Sequence, residues 1–146
     1  MALVASAYLW ALLGSALLII DGLTMLFGVR PLFAIDAIRH SLTVGFITLL
    51  ICGIAPRMIP GFSGGTIASP KLVHATLWLG NIAALLRVGP LLLAPLLITP
   101  LIAGFSLDFI PFGLSGPVGL TLALCLTVNL WPAIWPSRGR LLQDQS

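Results

Sequence analysis

The sequence predicts an all-α, polytopic transmembrane helical bundle, and two observations lead to that fold class. Hydrophobic residues make up 59% of the 146-residue chain and charged residues only 8%, whereas soluble domains carry roughly 25% charged residues. Apolar runs long enough to cross a bilayer, which takes about 20 residues, recur between short segments rich in glycine and proline. Because so little charge cannot cover a surface that faces water, we expect the lipid bilayer to surround most of this protein.

The length accommodates four spanning helices in one transmembrane domain, residues 1–136, with a polar C-terminal tail at residues 137–146. The run 91–105 is apolar but contains Pro95 and Pro100, which indicates either a broken helical segment or a fifth span. The four predicted spans are residues 2–27, 36–55, 70–88 and 117–135.

Local signals set the expected ends of the middle helices. Asp36 is the predicted N-cap of the second span, since a short acidic side chain suits a helix start. Pro56 is expected to end that span, because proline pushes the residue before it out of the helical region, and to leave residues 57–69 as a loop. The third span is expected to begin with Pro70 in its first turn, after Ser69 as its N-cap.

Two later segments are also interpreted from glycine and proline. Gly89 and Pro90 are expected to weaken or kink the third span, and residues 106–116 are predicted to be a loop before the last span. Trp131 and Trp135 then lie where an aromatic belt meets the membrane interface. These signals place the remaining helix ends.

The charges and cysteines exclude several classes of protein. The seven Lys and Arg residues stand singly near the predicted span ends, where such residues meet lipid headgroups, and Arg87 is interpreted in this way. Scattered charges of this kind do not predict a nucleic-acid partner. Cys52 and Cys125 lie inside apolar runs, which is typical of packing rather than of a disulfide framework.

His40 and His74 are the candidate metal or cofactor ligands, because imidazole binds haem iron and copper and polar groups inside a membrane are often functional. The alternative is that each is a polar group near a helix end. Each lies about four residues into its span, and consecutive spans are antiparallel, so the two are expected to lie roughly 20 Å apart along the membrane normal. One haem held by both within one monomer is therefore not expected; each can hold its own, or share one with a second subunit.

Three further residues accompany the histidines. Thr43 shares a face with His40 and can orient its ring, as outer partners of ligands do. Asn81 follows His74 on one helical stripe and either approaches a cofactor or makes a hydrogen bond between helices. Arg57 suits an anionic partner such as a haem propionate, or a lipid headgroup. Asp21 is expected to pair with an arginine or relay protons.

The segment RHSLTVGFITLLICGIAPRMIPGFSGG, residues 39–65, resembles a histidine-containing segment of the NnrS family. The following segment SPKLVHATLWLGNIAALLRV, residues 69–88, resembles the next helix of that family, and Asn-Leu-Trp at 129–131 is similar to its last helix. Ser41 departs from the alanine usual in the family. The matching positions of the first segment are His40, Thr43, Gly45, Gly53 and Arg57.

This resemblance implies a polytopic bacterial membrane protein linked to nitric-oxide metabolism and described as binding haem and copper. It implies that His40 is the preferred ligand of haem b and His74 the second choice, with Arg57 as a structural or propionate-binding group. The resemblance supports copper binding less strongly. Full-length members are much longer and have more spans and histidines. We therefore expect a homo-oligomer or a larger membrane partner, in the bacterial inner membrane.

Three functional hypotheses remain open at this stage. The first is an NnrS-like, haem-binding membrane protein in nitric-oxide response or redox protection. The second is a cofactor-free accessory or assembly subunit of a larger membrane complex. The third is a small transporter-like protein, which only the proline-broken region suggests. The sequence identifies no catalytic residue and no reaction.

Overall fold

The computed structural model describes residues 2–93 and 109–135, and every regular element within these ranges is helical. The elements, in chain order, are α1 (Ala2–Leu26), α2 (Ile35–His40), a π-helix (Ser41–Thr48), α3 (Leu49–Ser63), α4 (Pro70–Leu93) and α5 (Phe109–Ile134). The stretches long and apolar enough to cross a membrane are Ala2–Leu26, Ile35–Ser63, Pro70–Leu93 and Ile110–Ile134.

The predicted fold class is confirmed: the described parts of the chain form an all-α protein with four helices of membrane-spanning length. α2, the π-helix and α3 follow one another without a break and form the second of these spans. Of the predicted proline-broken segment 91–105, residues 91–93 belong to α4, and the rest lies outside the described residues.

α1 packs on the bundle through one face and ends in a glycine turn. Its buried positions recur at alternating intervals of three and four residues, which places them on one side of the helix. At its C-terminus, Gly28 has a φ of 73°, and the amides of Gly28 and Val29 donate to the carbonyls of Met25 and Thr24. That pair of bonds is a Schellman motif. The buried α1 residues are Leu3, Ala7, Trp10, Gly14, Leu17 and Asp21.

The prediction that Pro56 ends the second span is wrong. α3 continues through Pro56 and Pro60 to Ser63, and Gly64 closes it in the left-handed region with a φ of 67°. Proline costs a hydrogen bond inside a helix, but in a bilayer the alternative is an irregular backbone with unpaired groups facing lipid. Residues 57–63 are therefore helical, and the predicted loop is reduced to residues 64–69.

Two other predicted boundaries are also wrong for the same physical reason. α4 passes through Gly89 and Pro90 to Leu93. α5 begins at Phe109, so most of the predicted loop 106–116 is its first two turns, and Pro117 lies inside it. The effect is to bring Ser115 into the bundle, where it is buried.

The predicted caps are half confirmed. The residue before α2 is Ala34, which makes no side-chain capping bond; Asp36 lies in the first turn instead and pairs with Arg39 at 3.8 Å. Ser69 does cap α4, since its Oγ accepts from the amide of Lys71 at 3.2 Å while Pro70 occupies the first helical position.

α4 is the central helix, because it contacts every other helix of the described chain and packs most extensively against α5. Two glycines allow the closest helix approaches. A Cβ at Gly45 would lie 2.5–2.7 Å from atoms of the Trp10 side chain, and one at Gly80 would collide with Leu49. The core between the helices is formed by Trp10, Leu49, Cys52, Ala84, Val88 and Leu122, among others.

Candidate functional site

His40 lies at the end of α2, half-buried, and its neighbour is an arginine of the central helix. The Nε of Arg87 donates to Nε2 of His40 across 3.4 Å, so this nitrogen is the unprotonated one in that arrangement. Arg87 also donates from Nη1 to Oγ of Ser115 at 3.0 Å, and its guanidinium lies 5.1 Å from the ring centroid of Phe112. We refer to His40, Arg87 and Ser115 as the His40–Arg87 cluster.

His74 lies elsewhere, near the start of α4, and its side chain is exposed. Together with Arg57 it lines a cavity of about 250 Å³ between α1, α3 and α4. The first turn of α1 forms one wall, and it approaches closely because Gly53 has no side chain: a Cβ there would lie 3.0 Å from Val4. We refer to this feature as the His74–Arg57 cavity.

The two features occupy different levels of the bundle. His74 and Arg87 are on the same helix, and their separation in sequence corresponds to roughly 20 Å along its axis. His40 and Arg57 are likewise on one continuous helical rod, roughly 25 Å apart. The structure therefore bonds His40 to Arg87 of the neighbouring span and places His74 and Arg57 on the wall of one cavity. It does not bring His40 together with Arg57.

Asn81 joins two helices. Its Oδ1 accepts from Ser6 Oγ at 2.6 Å and from Trp10 Nε1 at 3.0 Å, both on α1, and its Nδ2 donates to the carbonyl of Leu77 at 2.8 Å. The interhelical hydrogen bond expected as one alternative is thus present. All of these partners are protein groups, so a contact between Asn81 and a cofactor stays a prediction.

Thr43 is exposed on the π-helix, and its hydroxyl donates to the carbonyl of Arg39 at 2.8 Å. Its carbonyl in turn accepts from the hydroxyl of Thr48, five residues later, at 3.0 Å. The ring partner that the structure gives His40 is Arg87, not Thr43. The expected role of Thr43 beside a ligated His40 therefore stays a prediction.

Arg87 has protein partners that the sequence does not reveal. It is half-buried and contacts His40, Ser115 and Phe112, and the headgroup contact expected from its position near a span end stays a prediction. Ser115 gives no signal in the sequence, since its segment is typical of a loop.

Asp21 also differs from expectation. The predicted pairing with an arginine is replaced by backbone contacts, since its carboxylate accepts from the amides of Leu32 and Phe33 at 2.9 and 3.2 Å. The sequence gives no local signal for this role, because the two amides lie 11 and 12 residues after Asp21, beyond the short-range patterns in which an acid bonds its own backbone.

Metal donors are sparse in this part of the chain. Residues 2–93 and 109–135 hold no group of three His, Cys, Asp or Glu side chains placed to share one ion. Cys52 is buried and Cys125 is half-buried, and both are free thiols. A copper ion held by several such side chains would need donors from outside these ranges or from a second chain.

The comparisons with known proteins agree with the sequence resemblance. The family model described as "NnrS protein" matches residues 1–137, which covers all of the described helices. No curated protein matches the chain, and no solved structure matches it. A match across nearly the whole chain, on a bundle with four helices of membrane-spanning length, means that this protein belongs to the NnrS family.

Proposed function

We propose that this NnrS-family protein binds haem b at the His74–Arg57 cavity and serves nitric-oxide response or redox protection in the bacterial inner membrane. The observation that carries the proposal is that one exposed imidazole and one guanidinium line the same cavity. The link to nitric oxide rests on the family resemblance alone.

The donor set suits haem. An axial ligand must offer a ring nitrogen that can reach the iron, and the imidazole of His74 is exposed. Haem also carries anionic propionates, which a guanidinium can bind through two parallel hydrogen bonds. Arg57, on the wall of the same cavity, is the residue placed to do this.

The cavity is small for the whole group. Its volume of about 250 Å³ lies below the roughly 300–1,000 Å³ typical of pockets for small ligands. The cavity would therefore receive one edge of the macrocycle near His74 and Arg57. We infer that a second chain, another copy or a larger membrane partner, covers the remainder.

His40 is the less suitable ligand in this arrangement, although the resemblance favours it. Its Nε2 already accepts from Arg87, so ligation through that atom would require Arg87 to move away. The proposal accordingly places the cofactor at His74 and assigns His40 to the separate His40–Arg87 cluster.

Bound haem would supply a redox-active iron that can take diatomic gases or single electrons. The residues of this chain would fix its position: His74 by ligation, Arg57 by charge, and the apolar wall from α1 by keeping water out. No catalytic residue is assigned.

The test is an absorption spectrum of the protein purified in mild detergent from haem-replete cells, oxidised and dithionite-reduced. We expect a Soret band in the wild type, its loss in His74→Ala, and its retention in the matched variant His40→Ala. Loss in His40→Ala alone would move the site to the other cluster. A colourless, folded wild type would remove the haem proposal and favour the cofactor-free accessory subunit, which would then copurify with another membrane complex.

A further inference from the structure

Arg87 is a half-buried cation in a membrane-spanning helix, and three helices contribute to its surroundings. Its Nε donates to His40 of α2 and its Nη1 donates to Ser115 of α5, while Phe112 lies against its guanidinium plane. Two of the three guanidinium nitrogens thus donate to protein acceptors. The guanidinium carries five N–H groups in all, and these two bonds use two of them.

The partners that Arg87 has among the described residues do not neutralise it. A histidine nitrogen that accepts a hydrogen bond is uncharged, and so is a serine hydroxyl. Of the two acidic residues in the described chain, Asp21 accepts from backbone amides and Asp36 pairs with Arg39. Burial of a charge is costly unless an opposite charge accompanies it. Asp36 lies one helical turn before His40, but no carboxylate among the described residues bonds to Arg87 itself.

The cluster lies near one end of the second span. His40 is five residues after the start of the span Ile35–Ser63, which is roughly 8 Å along the helix. Arg87 and Ser115 lie at a similar level, because Arg87 donates to both His40 and Ser115. The cluster is therefore close to one membrane surface, within reach of a phosphate at the headgroup level.

From these observations we propose that Arg87 and Ser115 form a binding site for a phosphate-type oxyanion, with His40 as a positioning residue. The anion is either the phosphate of a phospholipid headgroup or free inorganic phosphate. The guanidinium fork matches two oxygens of such a group. The Ser115 hydroxyl donates to the carbonyl of Phe112 at 2.6 Å and accepts from Arg87, so it holds the fork in place, and it would have to leave that carbonyl to donate to a third oxygen. The bond from Nε to His40 holds the fork in the orientation that faces Ser115.

The experiment has two arms on the full chain purified in a phosphate-free, non-ionic detergent. The first titrates inorganic phosphate and follows its ³¹P resonance. The second transfers the protein into nanodiscs and measures retained phosphatidylglycerol by native mass spectrometry, with an uncharged glycolipid as the comparison. A response in the first arm assigns a free oxyanion, and a response only in the second assigns a lipid phosphate.

The variants locate the site. We expect Arg87→Gln to weaken binding roughly tenfold or more, because a hydrogen bond to a charged group is lost together with the charge. Arg39→Gln is the matched control, since Arg39 is on the same span as His40 but is exposed and paired with Asp36; it should bind as the wild type does. Arg87→Lys keeps the charge but loses the planar fork, and Ser115→Ala keeps the arginine but loses the hydroxyl. Both variants should bind phosphate with an affinity between those of the wild type and Arg87→Gln. They also keep the test decisive if Arg87→Gln does not fold.

Two results would overturn the proposal. One is a wild type that binds neither inorganic phosphate nor phosphatidylglycerol above the glycolipid level. The other is binding that is unchanged in Ser115→Ala, Arg87→Lys and Arg87→Gln, or that is lost equally in Arg39→Gln. Neither result would bear on the haem proposal, which depends on His74 and is read from a different spectrum.

Discussion

The indole Nε1 of Trp10 donates a 3.0 Å hydrogen bond to Oδ1 of Asn81, and this bond joins the first helix to the central helix in the interior of the bundle. The same oxygen accepts from Ser6 at 2.6 Å. The Trp10 ring also lies against Gly45 of the π-helix. One aromatic side chain therefore fixes three of the helices relative to one another, and its loss should affect the whole fold.

Asn81→Ala should lower the stability of the protein by about 1–3 kcal/mol. Hydrogen bonds between membrane helices contribute roughly 0.6 kcal/mol on average and up to about 1.7 kcal/mol, and two are lost here. Thermal unfolding in detergent measures the change, and a double-mutant cycle with Ser6→Ala isolates the shorter bond. Ser15→Ala is the control, because Ser15 is exposed on the same helix as Ser6. A cycle with no coupling between Ser6 and Asn81 would contradict the arrangement.

Gly45→Ala should destabilise the bundle by about 1–3 kcal/mol, the usual cost of overpacking a filled core. The added methyl group would lie 2.5–2.7 Å from atoms of Trp10, so the indole must move and its bond to Asn81 must lengthen. Thermal unfolding and the tryptophan emission maximum should both change.

The control for this substitution is Gly22→Ala. Gly22 is also inside a helix, but nothing lies within 4 Å of the position that a Cβ would take there. Alanine is favoured over glycine in a helix by roughly 0.5–1 kcal/mol, so this variant should be neutral or slightly more stable. Equal effects of the two alanines would argue against a specific contact between Trp10 and Gly45.

Asp21→Ala should destabilise the connection between α1 and α2. The carboxylate is 6% exposed and accepts from two backbone amides, those of Leu32 and Phe33. Their loss leaves both donors unpaired, at about 1–3 kcal/mol. Asp21→Asn keeps one acceptor oxygen and should be milder. Limited proteolysis within residues 27–34 measures the local effect, and Asp36→Asn, which removes an exposed ion pair worth about 0–1 kcal/mol, should leave the cleavage rate unchanged.

The sequence is sufficient to predict the fold class because composition and apolar run length decide it, whatever the detail of each helix. Helix ends are predicted less well, and the errors share one cause. The rule that proline stops a helix holds where water can pair with the freed backbone groups. In lipid it cannot, so α3 runs through Pro56 and Pro60.

The candidate site shows a different limit. Histidine and arginine can be singled out as residue types, but which arginine accompanies which histidine depends on how antiparallel helices align. Arg57 follows His40 along one continuous helical rod. Only the packing of α4 against that rod brings His74 and Arg57 to one cavity and Arg87 beside His40.

Asn129→Ala should weaken the attachment of the 64–69 loop to α5. The Oδ1 of this fully buried residue accepts from the Ser69 amide at 2.9 Å, and its carbonyl accepts from the Ala68 amide at 2.9 Å. The substitution leaves the Ser69 amide, at the start of α4, without its acceptor, and should cost about 1–3 kcal/mol. Thr127→Ala is the control, because Thr127 is exposed and its hydroxyl bonds within its own helix. The free energy of unfolding, measured by thermal unfolding, should change by less than about 0.5 kcal/mol in this variant.

Arg57→Gln should loosen haem without removing its iron ligand, if the cofactor is held as proposed. The Soret position reports the axial ligand, His74, and should stay constant. The rate of haem transfer to an excess of apo-myoglobin should rise roughly tenfold or more, because a charge-assisted contact to a propionate is lost. Arg87→Gln is the matched comparison, because Arg87 lies at the other level of the bundle, and its transfer rate should equal that of the wild type. Faster transfer in Arg87→Gln and not in Arg57→Gln would place the propionates at the His40–Arg87 cluster and would require the histidine ligand to be reassigned with them.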